Sequence, residues 1–249
     1  MKIVIAKVPL KELGSLRTEF LGENAIEFCL DKCHLYGWAD TYLITIDEAV
    51  AGYGSVWGKD ERKNRDSIFE YYLRREFRDQ DTIVFNDLIS SCGASYIESQ
   101  SNDRFLAPML FEFAHDIFAE SILFEELFES SFDIPGATLA PNGENNPKHT
   151  DQQFALKFEG EVVANGGLML NYNFPYADIY YGVDEMHRRK GYGTFIVQEL
   201  KKEAYKMGRV PAARCAINNT ISKRTMMKAG LGICEWRLVG KIKGERQGK

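Results

Sequence analysis

The stretch HRRKGYGTFIVQELKKEAYKMG, residues 187–208, decides the fold because it joins a cationic loop with two glycines to an amphipathic helix. Apolar side chains recur in the helix at spacings of three and four and predict one buried stripe: Ile196, Leu200, Ala204 and Met207. Gly208 is placed to end the helix. A helix N-terminus leaves backbone N–H groups without partners and carries partial positive charge. The loop therefore predicts a site for a phosphate or pyrophosphate.

The type of phosphate site is narrowed by what the loop lacks. Arg188, Arg189 and Lys190 supply charge, and Gly191 and Gly193 let an anion approach the backbone. A Walker loop needs Gly-Lys followed by Ser or Thr, and that pattern is missing. A dinucleotide fingerprint needs a third glycine and opens the first unit of a parallel sheet. Both nucleotide interpretations are weak, since this loop comes late and after a predicted hairpin.

Elements around the loop predict a mixed α+β fold. Residues 151–171 alternate as two strands that turn at Glu159-Gly160, and residues 177–186 form a third strand candidate. After the helix come a short strand at 213–218, a second helix and a last strand. The predicted order is strand–strand–strand–helix–strand–helix–strand.

The first half of the chain repeats this order weakly. Residues 41–58 resemble 153–170, and residues 69–77 resemble 178–186. An internal duplication explains the similarity, although two hairpin-containing domains can also resemble each other by chance. The loop differs sharply between the halves, because the first half has Arg-Asp-Gln-Asp at 78–81 in place of the cations and glycines.

Length and composition bound the class of protein. The 249 residues can form one large domain or two small ones, and the net charge of −5 disfavours nucleic-acid binding. No apolar run approaches the roughly 18 residues that span a membrane, and we expect no secretory signal in MKIVIAKVPLKELG, whose apolar core is too short and which lacks a small-residue cleavage site. We expect a cytoplasmic protein. Cys29, Cys33 and His34 could form half of a metal site, but no second pair completes it, so one helical turn is the favoured interpretation and we expect no metal.

The middle of the chain supplies the domain boundary. Residues 105–147 contain carboxylates and no Lys or Arg. The stretch LFEFAHDIFAESILFEELFES is interpreted as helices with a solvated acidic face, and an acidic wall that attracts a cationic ligand is the alternative. The Gly-, Pro- and Asn-rich residues 132–149 predict a linker. We therefore expect domains at 1–135 and 136–249.

Two motifs resemble those of the GNAT superfamily of N-acetyltransferases. The acyl-CoA motif of that family, Gln/Arg-x-x-Gly-x-Gly/Ala preceded by a Val, is matched by Val183, Arg188, Gly191 and Gly193. A second element, Asn-x-x-Ser/Ala followed by Lys-x-Gly-Phe, is matched by Asn219, Ser222, Lys228 and Gly230, with Leu231 where Phe is usual. The resemblance covers about residues 150–240. The first half resembles a degenerate copy, as in two-part bacterial members.

The resemblance implies a site for acetyl-CoA as co-substrate. Pyrophosphate would bind the loop amides, and the pantetheine arm would pair with the preceding strand. The implied cofactor-binding residues are Tyr181, Gly182, Val183, Arg188, Arg189, Lys190, Gly191, Tyr192, Gly193, Thr194, Asn219 and Ser222. Asn219 is equally well interpreted as a helix N-cap. The implied activity is acetyl transfer to a primary amine of a small, cationic acceptor.

Catalytic groups are less well defined. The family often uses a carboxylate on the strand before the loop as general base, and Asp178 is the nearest candidate. Many members place a tyrosine seven residues after the Asn as general acid, and Met226 stands there instead. Direct attack by the amine needs no covalent intermediate, so Cys215 is interpreted as a core residue. A non-catalytic acyl-CoA-binding sensor or scaffold is the alternative function.

Acceptor recognition is assigned to polar residues upstream. Glu98 and Asn102 could bind a substrate amine, and Tyr180 could line the cleft. The alternatives are a helix N-cap at Ser101 or Asn102 and strand packing for Tyr180. A homodimer formed through the sheets is a further hypothesis.

Overall fold

The computed structural model describes residues 1–24, 26, 31–142, 152–171 and 174–244. Its helices are α1 (Leu16–Glu23), α2 (Asp31–Leu35), α3 (Asp81–Cys92), α4 (Leu106–Phe113), α5 (Tyr192–Lys206) and α6 (Thr220–Lys228). Its strands are β1 (Ile3–Val8), β2 (Ala39–Ile46), β3 (Ala49–Trp57), β4 (Ser67–Leu73), β5 (Tyr96–Gln100), β6 (Ala114–Glu126), β7 (Thr138–Pro141), β8 (Gln152–Phe158), β9 (Glu161–Met169), β10 (Tyr176–Val183), β11 (Val210–Ala216) and β12 (Leu231–Ile242). The predicted mixed α+β class is confirmed, as is the element order of the second half.

The chain divides into two compact units. Unit 1 contains Met1–Ile26, Lys32–Glu120 and Trp236–Lys249, and unit 2 contains Glu27–Asp31 and Ser121–Glu235. This division differs from the expected boundary after residue 135. The chain leaves unit 1 within β6 and returns to it within β12, so neither unit is one continuous segment.

Unit 1 is built on a sheet with the strand order β1-β2-β3-β4-β5-β12. Neighbours from β1 to β4 are antiparallel, β4 and β5 are parallel, and β12 pairs antiparallel with β5. A parallel pair needs a long crossover, and here α3 supplies it. Aromatic side chains dominate the core of this unit, where the rings of Phe20, Tyr72 and Phe105 lie within 6.3 Å of each other.

Unit 2 repeats this topology. Its strand order is β7-β8-β9-β10-β11-β6, with β10 and β11 parallel and β6 antiparallel to β11. The crossover helix is α5, whose Ile196, Leu200 and Ala204 are fully buried against the sheet. Met207, the fourth member of the predicted stripe, is partly exposed, because the helix ends one residue earlier at Lys206.

The last strand of each sheet is exchanged between the two halves of the sequence. In unit 1, the strand beside β5 is β12, which follows the elements of unit 2 along the chain. In unit 2, the strand beside β11 is β6, which follows the elements of unit 1. The matching order and direction of the strands support an internal duplication, and the exchange explains why unit 1 ends with residues from the C-terminus.

Two predicted elements are wrong. The stretch 110–130 was expected to be helical, but only α4 is a helix, and Ala114–Glu126 forms the long strand β6. Ile122, Leu123 and Phe124 are buried in succession, as in a strand covered on both faces. The expected linker at 132–149 contains the edge strand β7, while its residues 143–149 lie outside the described part of the chain, as does Cys29.

Candidate active site

A gap opens in the sheet of unit 2 where β10 and β11 diverge. Their parallel ladder ends at the pair Ile179 and Ala213, but β10 continues to Val183 and β11 to Ala216. Beyond that point β10 pairs with β9, and β11 pairs with β6. An open strand edge presents N–H and C=O groups that can pair with the amides of an extended ligand. Residues 180–183, which include the predicted ligands Tyr181, Gly182 and Val183, are partly or fully exposed there.

The predicted phosphate loop follows β10 and ends at the first residue of α5. A 3₁₀ turn at Glu185–His187 leads to Arg189 at φ 63° and Gly191 at φ 90°. The first helical bond runs from the Phe195 N–H to the Gly191 carbonyl. The amides of Tyr192, Gly193 and Thr194 precede that bond, so α5 leaves them for an anion.

The cations of the loop have two different roles. Arg188 braces the loop, because its Nε donates to the Val183 carbonyl at 3.3 Å and its Nη1 lies 3.7 Å from Glu185 Oε1. Arg189 and Lys190 are exposed and add positive charge at the head of α5. The side chain of Tyr192 is not accessible to a ligand, since its ring is buried and its centroid lies 5.7 Å from that of Phe158 and 6.2 Å from that of His187. Only the backbone of Tyr192 is placed for a ligand.

The two glycines of the loop have different backbone conformations and surroundings. A Cβ on Gly191 would lie 2.8 Å from Phe132 Cζ, at a positive φ that L residues avoid. A Cβ on Gly193 would meet Thr225 Cγ2 at 3.2 Å and Tyr181 Cε2 at 3.4 Å. Gly191 therefore permits the backbone shape of the loop, and Gly193 permits close packing of α5 on β10 and α6.

The second motif forms the start of α6. The Asn219 side chain accepts the Ser222 N–H at 3.0 Å, so the N-cap interpretation of Asn219 is confirmed. Ser222 Oγ lies 3.0 Å from the Tyr181 hydroxyl, and this pair links α6 to the diverging part of β10. The structure thus brings together the residues of both motifs within unit 2.

Asp178 lies just before the gap, but it is not an exposed strand end. Its side chain is 1% exposed, and Oδ2 lies 3.4 Å from Arg214 Nε on β11. Its neighbours Ala177 and Ile179 belong to the core beneath α5. Because side chains alternate along a strand, Asp178 points to the opposite face of the sheet. A role for Asp178 as general base remains a prediction.

Neither Met226 nor Cys215 offers an exposed proton donor or nucleophile. Met226 is 2% exposed within the core of unit 2. Cys215 is also buried there, and burial raises the pKa of its thiol, which opposes formation of the nucleophilic thiolate.

Two of the three residues proposed to bind the acceptor belong to unit 1, whereas the gap is part of unit 2. Tyr180 is in the gap and partly exposed. Glu98 belongs to β5 of unit 1, where it is buried and forms an ion pair with Arg237. Asn102 follows β5 in the same unit, where Asp103 rather than Ser101 or Asn102 accepts the N–H groups at the start of α4. A carboxylate already engaged by an arginine is a poor receptor for an amine.

The corresponding part of unit 1 is closed. There β4 and β5 pair only at Ser67 with Tyr96 and Ile68 with Ile97, yet every residue of β4 is buried. The buried carboxylate of Glu70 on β4 lies 3.1 Å from Arg17 Nη2 and 2.9 Å from His34 Nε2. Burial raises the pKa of Glu70, but the Arg17 guanidinium and the hydrogen bond with His34 lower it by more, so the pKa lies below its ordinary value.

One detail of the loop is shared by both units. Arg78 Nε donates to the Leu73 carbonyl at 2.9 Å, which matches the bond from Arg188 to Val183. The next residues differ, because Asp79 and Asp81 stand where unit 2 has Arg189 and Gly191. Unit 1 thus keeps the brace of the loop and lacks its cations and glycines.

Several residues that shape the site were not predicted. They are Phe132, Gln198, Lys201 and Arg214. Lys201 lies outside the predicted apolar stripe of α5, but it is buried, and its Nζ donates to the carbonyls of Phe128 and Ala229 and pairs with Glu126. Lys201 is buried because it contacts the irregular segment that contains Phe128, and the helical periodicity of α5 does not indicate that contact.

Within the described residues, no cluster of three or more His, Cys, Asp or Glu side chains could hold a metal ion. No described helix is long and apolar enough to cross a membrane.

Comparison with known proteins agrees with this geometry. Residues 115–231 match the family model described as Acetyltransferase (GNAT) family. Among solved structures, a GNAT-family acetyltransferase from Colwellia psychrerythraea has a TM-score of 0.77 at 15% identity and covers 98% of this chain and 100% of its own. A tandem GNAT protein from the clavulanic acid biosynthesis pathway has a TM-score of 0.66 at 9% identity, and the match covers 98% of this chain and 100% of that protein. A search among curated proteins found no match.

These matches define the fold as that of GNAT acetyltransferases over almost the whole chain. The family match covers residues 115–231, a little under half of the chain, and a match to this family implies acyl-CoA-dependent acyl transfer in that part of the chain.

Proposed function

We propose that this protein transfers an acetyl group from acetyl-CoA to a primary amine of a small acceptor that is cationic in solution, at the gap in unit 2. One observation carries the proposal: the open edge of β10 leads directly into a glycine-containing loop at the head of α5. A strand edge suits the two amides of a pantetheine arm, and helix amides with adjacent cations suit a pyrophosphate. The two features follow each other in the same order as these groups do in CoA.

The residues of the site have separate tasks in this proposal. The amides of residues 189–194, with the charges of Arg189 and Lys190, bind the pyrophosphate. The exposed edge at Tyr181–Val183 orients the pantetheine arm. The uncharged amine attacks the thioester carbonyl directly, while a backbone N–H beside the gap stabilises the negative charge that develops on oxygen. The tetrahedral intermediate then collapses, the C–S bond breaks, and CoA leaves as a thiolate that water protonates. Asp178, held by Arg214, is the candidate that receives the proton of the amine.

A second function is favoured by one observation. Met226 occupies the place of the usual proton donor and lies in the core, so no side chain at that position can protonate the departing thiolate. A sensor or scaffold that binds acyl-CoA without turnover fits this feature. It predicts binding of CoA and no release of thiol with any amine.

The two functions are separated by incubating the protein with acetyl-CoA and a panel of primary amines and measuring free thiol. The transferase predicts amine-dependent thiol release that Gly191→Glu abolishes. Gly160→Glu is the matched control, because Gly160 also has a positive φ but lies in the turn between β8 and β9, with open space around it. Activity that survives Gly191→Glu contradicts the proposed site, and CoA binding without thiol release supports the sensor.

A further inference from the structure

An irregular segment of unit 2, residues 127–134, is held against α5 and the phosphate loop by buried polar groups. The N–H groups of Leu127 and Phe128 donate to the Gly230 carbonyl at 2.9 and 3.1 Å. Lys201 Nζ donates to the Phe128 carbonyl at 2.9 Å. The start of the segment is therefore fixed to both α5 and the end of α6.

The far end of the segment is held by Gln198, which is 5% exposed. Its Oε1 accepts the Phe132 N–H at 2.8 Å and the Ser130 hydroxyl at 2.9 Å, and its Nε2 donates to the Phe132 carbonyl at 2.8 Å. A side-chain amide that bonds both the N–H and the C=O of one residue fixes that residue as a strand neighbour would. Phe132 is therefore a rigidly positioned residue although it lies outside any helix or strand.

This fixed residue carries an exposed ring directly beside the phosphate loop. Phe132 is 43% exposed, and its Cζ lies 2.8 Å from the position that a Cβ on Gly191 would occupy. Ile134 Cδ1 contacts the same glycine at 3.6 Å from that position, and it packs into the core of unit 2. Ile134 thus anchors the segment, whereas much of Phe132 remains in solvent at the edge of the proposed pyrophosphate site.

We infer that Phe132 is a stacking platform for the adenine base of CoA, an inference that rests on the proposed function. The pantetheine arm leaves the pyrophosphate along β10, so the adenosine half must leave it on another side of the loop. An exposed aromatic ring in contact with the loop glycine offers a face on which a purine can stack. Because Gln198 fixes the backbone that carries this ring, less backbone freedom is lost when the ligand binds.

The test compares two thioesters, acetyl-CoA and acetyl-pantetheine, which lacks the adenosine, its 3′-phosphate and the pyrophosphate. Stacking of a base on an aromatic side chain contributes about 1–3 kcal/mol, so Phe132→Ala should raise KM for acetyl-CoA roughly 5-fold or more at unchanged kcat. KM for acetyl-pantetheine should not change. Phe132→Tyr keeps the ring face and should retain the wild-type KM.

Phe128→Ala is the matched control, because Phe128 is 51% exposed on the same segment and is bound through its backbone carbonyl. It should leave both KM values unchanged. The inference is overturned if Phe132→Ala leaves KM for acetyl-CoA unchanged, or if it raises KM by the same factor for S-acetyl-4′-phosphopantetheine, which keeps a phosphate for the loop and has no base to stack, because that result indicates a loop defect. If the wild-type protein shows no turnover, the dissociation constants of CoA and pantetheine replace KM. Failure of the wild-type protein to bind CoA refutes the proposed function itself, a separate result.

Discussion

The two glycines of the loop give a paired prediction, because alanine should have opposite consequences at Gly191 and Gly193. At Gly191 the backbone has φ 90°, which costs an L residue about 1–2 kcal/mol. The added methyl group would also press on Phe132 Cζ at 2.8 Å, and the ring must move. At Gly193 φ is not positive, and the tightest contact is 3.2 Å to the Thr225 methyl group. Alanine there should be accommodated by a shift of a few tenths of an ångström.

The two alanine substitutions should therefore lower the affinity for CoA by different amounts. If the Gly191→Ala substitution relaxes the loop, the protein must restore the loop shape on binding, and the dissociation constant rises by that cost, roughly 5- to 30-fold. Gly193→Ala should change the dissociation constant less than about 3-fold. It should also keep or slightly raise the melting temperature, because alanine is favoured over glycine in a helix by about 0.5–1 kcal/mol.

Isothermal titration of both variants with CoA measures the dissociation constants, and far-UV circular dichroism gives the melting temperatures. Equal effects at the two positions, or a stronger effect at Gly193, would refute the distinct roles given to the glycines. Tryptophan fluorescence is unsuitable here, since all three tryptophans of the chain lie in unit 1.

Three further predictions use other parts of the molecule. Cys215→Ala should retain amine-dependent thiol release, and loss of activity in a folded variant would show a covalent role for the thiol. Asn219→Ala should lower the melting temperature through loss of about 1 kcal/mol of capping, whereas Asn219→Ser should restore it; a CoA affinity that serine fails to restore would add a ligand contact to the cap. Glu70→Gln breaks a buried ion pair and should destabilise unit 1 by roughly 3 kcal/mol at pH 7, as measured by urea unfolding followed by tryptophan fluorescence. Because the folded pKa of Glu70 is lowered, the stabilisation by Glu70 is complete above its unfolded pKa of about 4.5 and declines as the pH falls below that value. A difference in unfolding free energy between wild type and variant that stays constant down to pH 3 would be inconsistent with an ionised Glu70.

Much of unit 2 could be predicted from sequence because its signals are local. The period of α5, the glycines of the loop and the N-cap at Asn219 each depend on a few neighbouring residues, and the structure has them in the expected places. The equivalence of the two halves was also visible, since the hairpins and the loop braces at Arg78 and Arg188 fall at matching positions.

The features that sequence reasoning missed depend on distant partners. The side-chain patterns of β6 and β12 do not specify which sheet each strand joins, so the strand exchange carried no local signal. Glu98 appeared available to a substrate because Arg237, its partner, lies 139 residues away. Burial of Lys201 and Gln198 follows from the irregular segment that they hold, and Asp178 is buried because Arg214 on the next strand pairs with it.

The number of CoA molecules bound per chain tests the central claim most directly, namely that unit 2 alone kept the acyl-CoA site. Titration calorimetry should give one site per chain, lost in Gly191→Glu and retained in Gly160→Glu. Two sites per chain would show that the closed gap of unit 1 also binds CoA. One site that survives Gly191→Glu would place the ligand elsewhere, and no binding by the wild-type protein would contradict the account altogether.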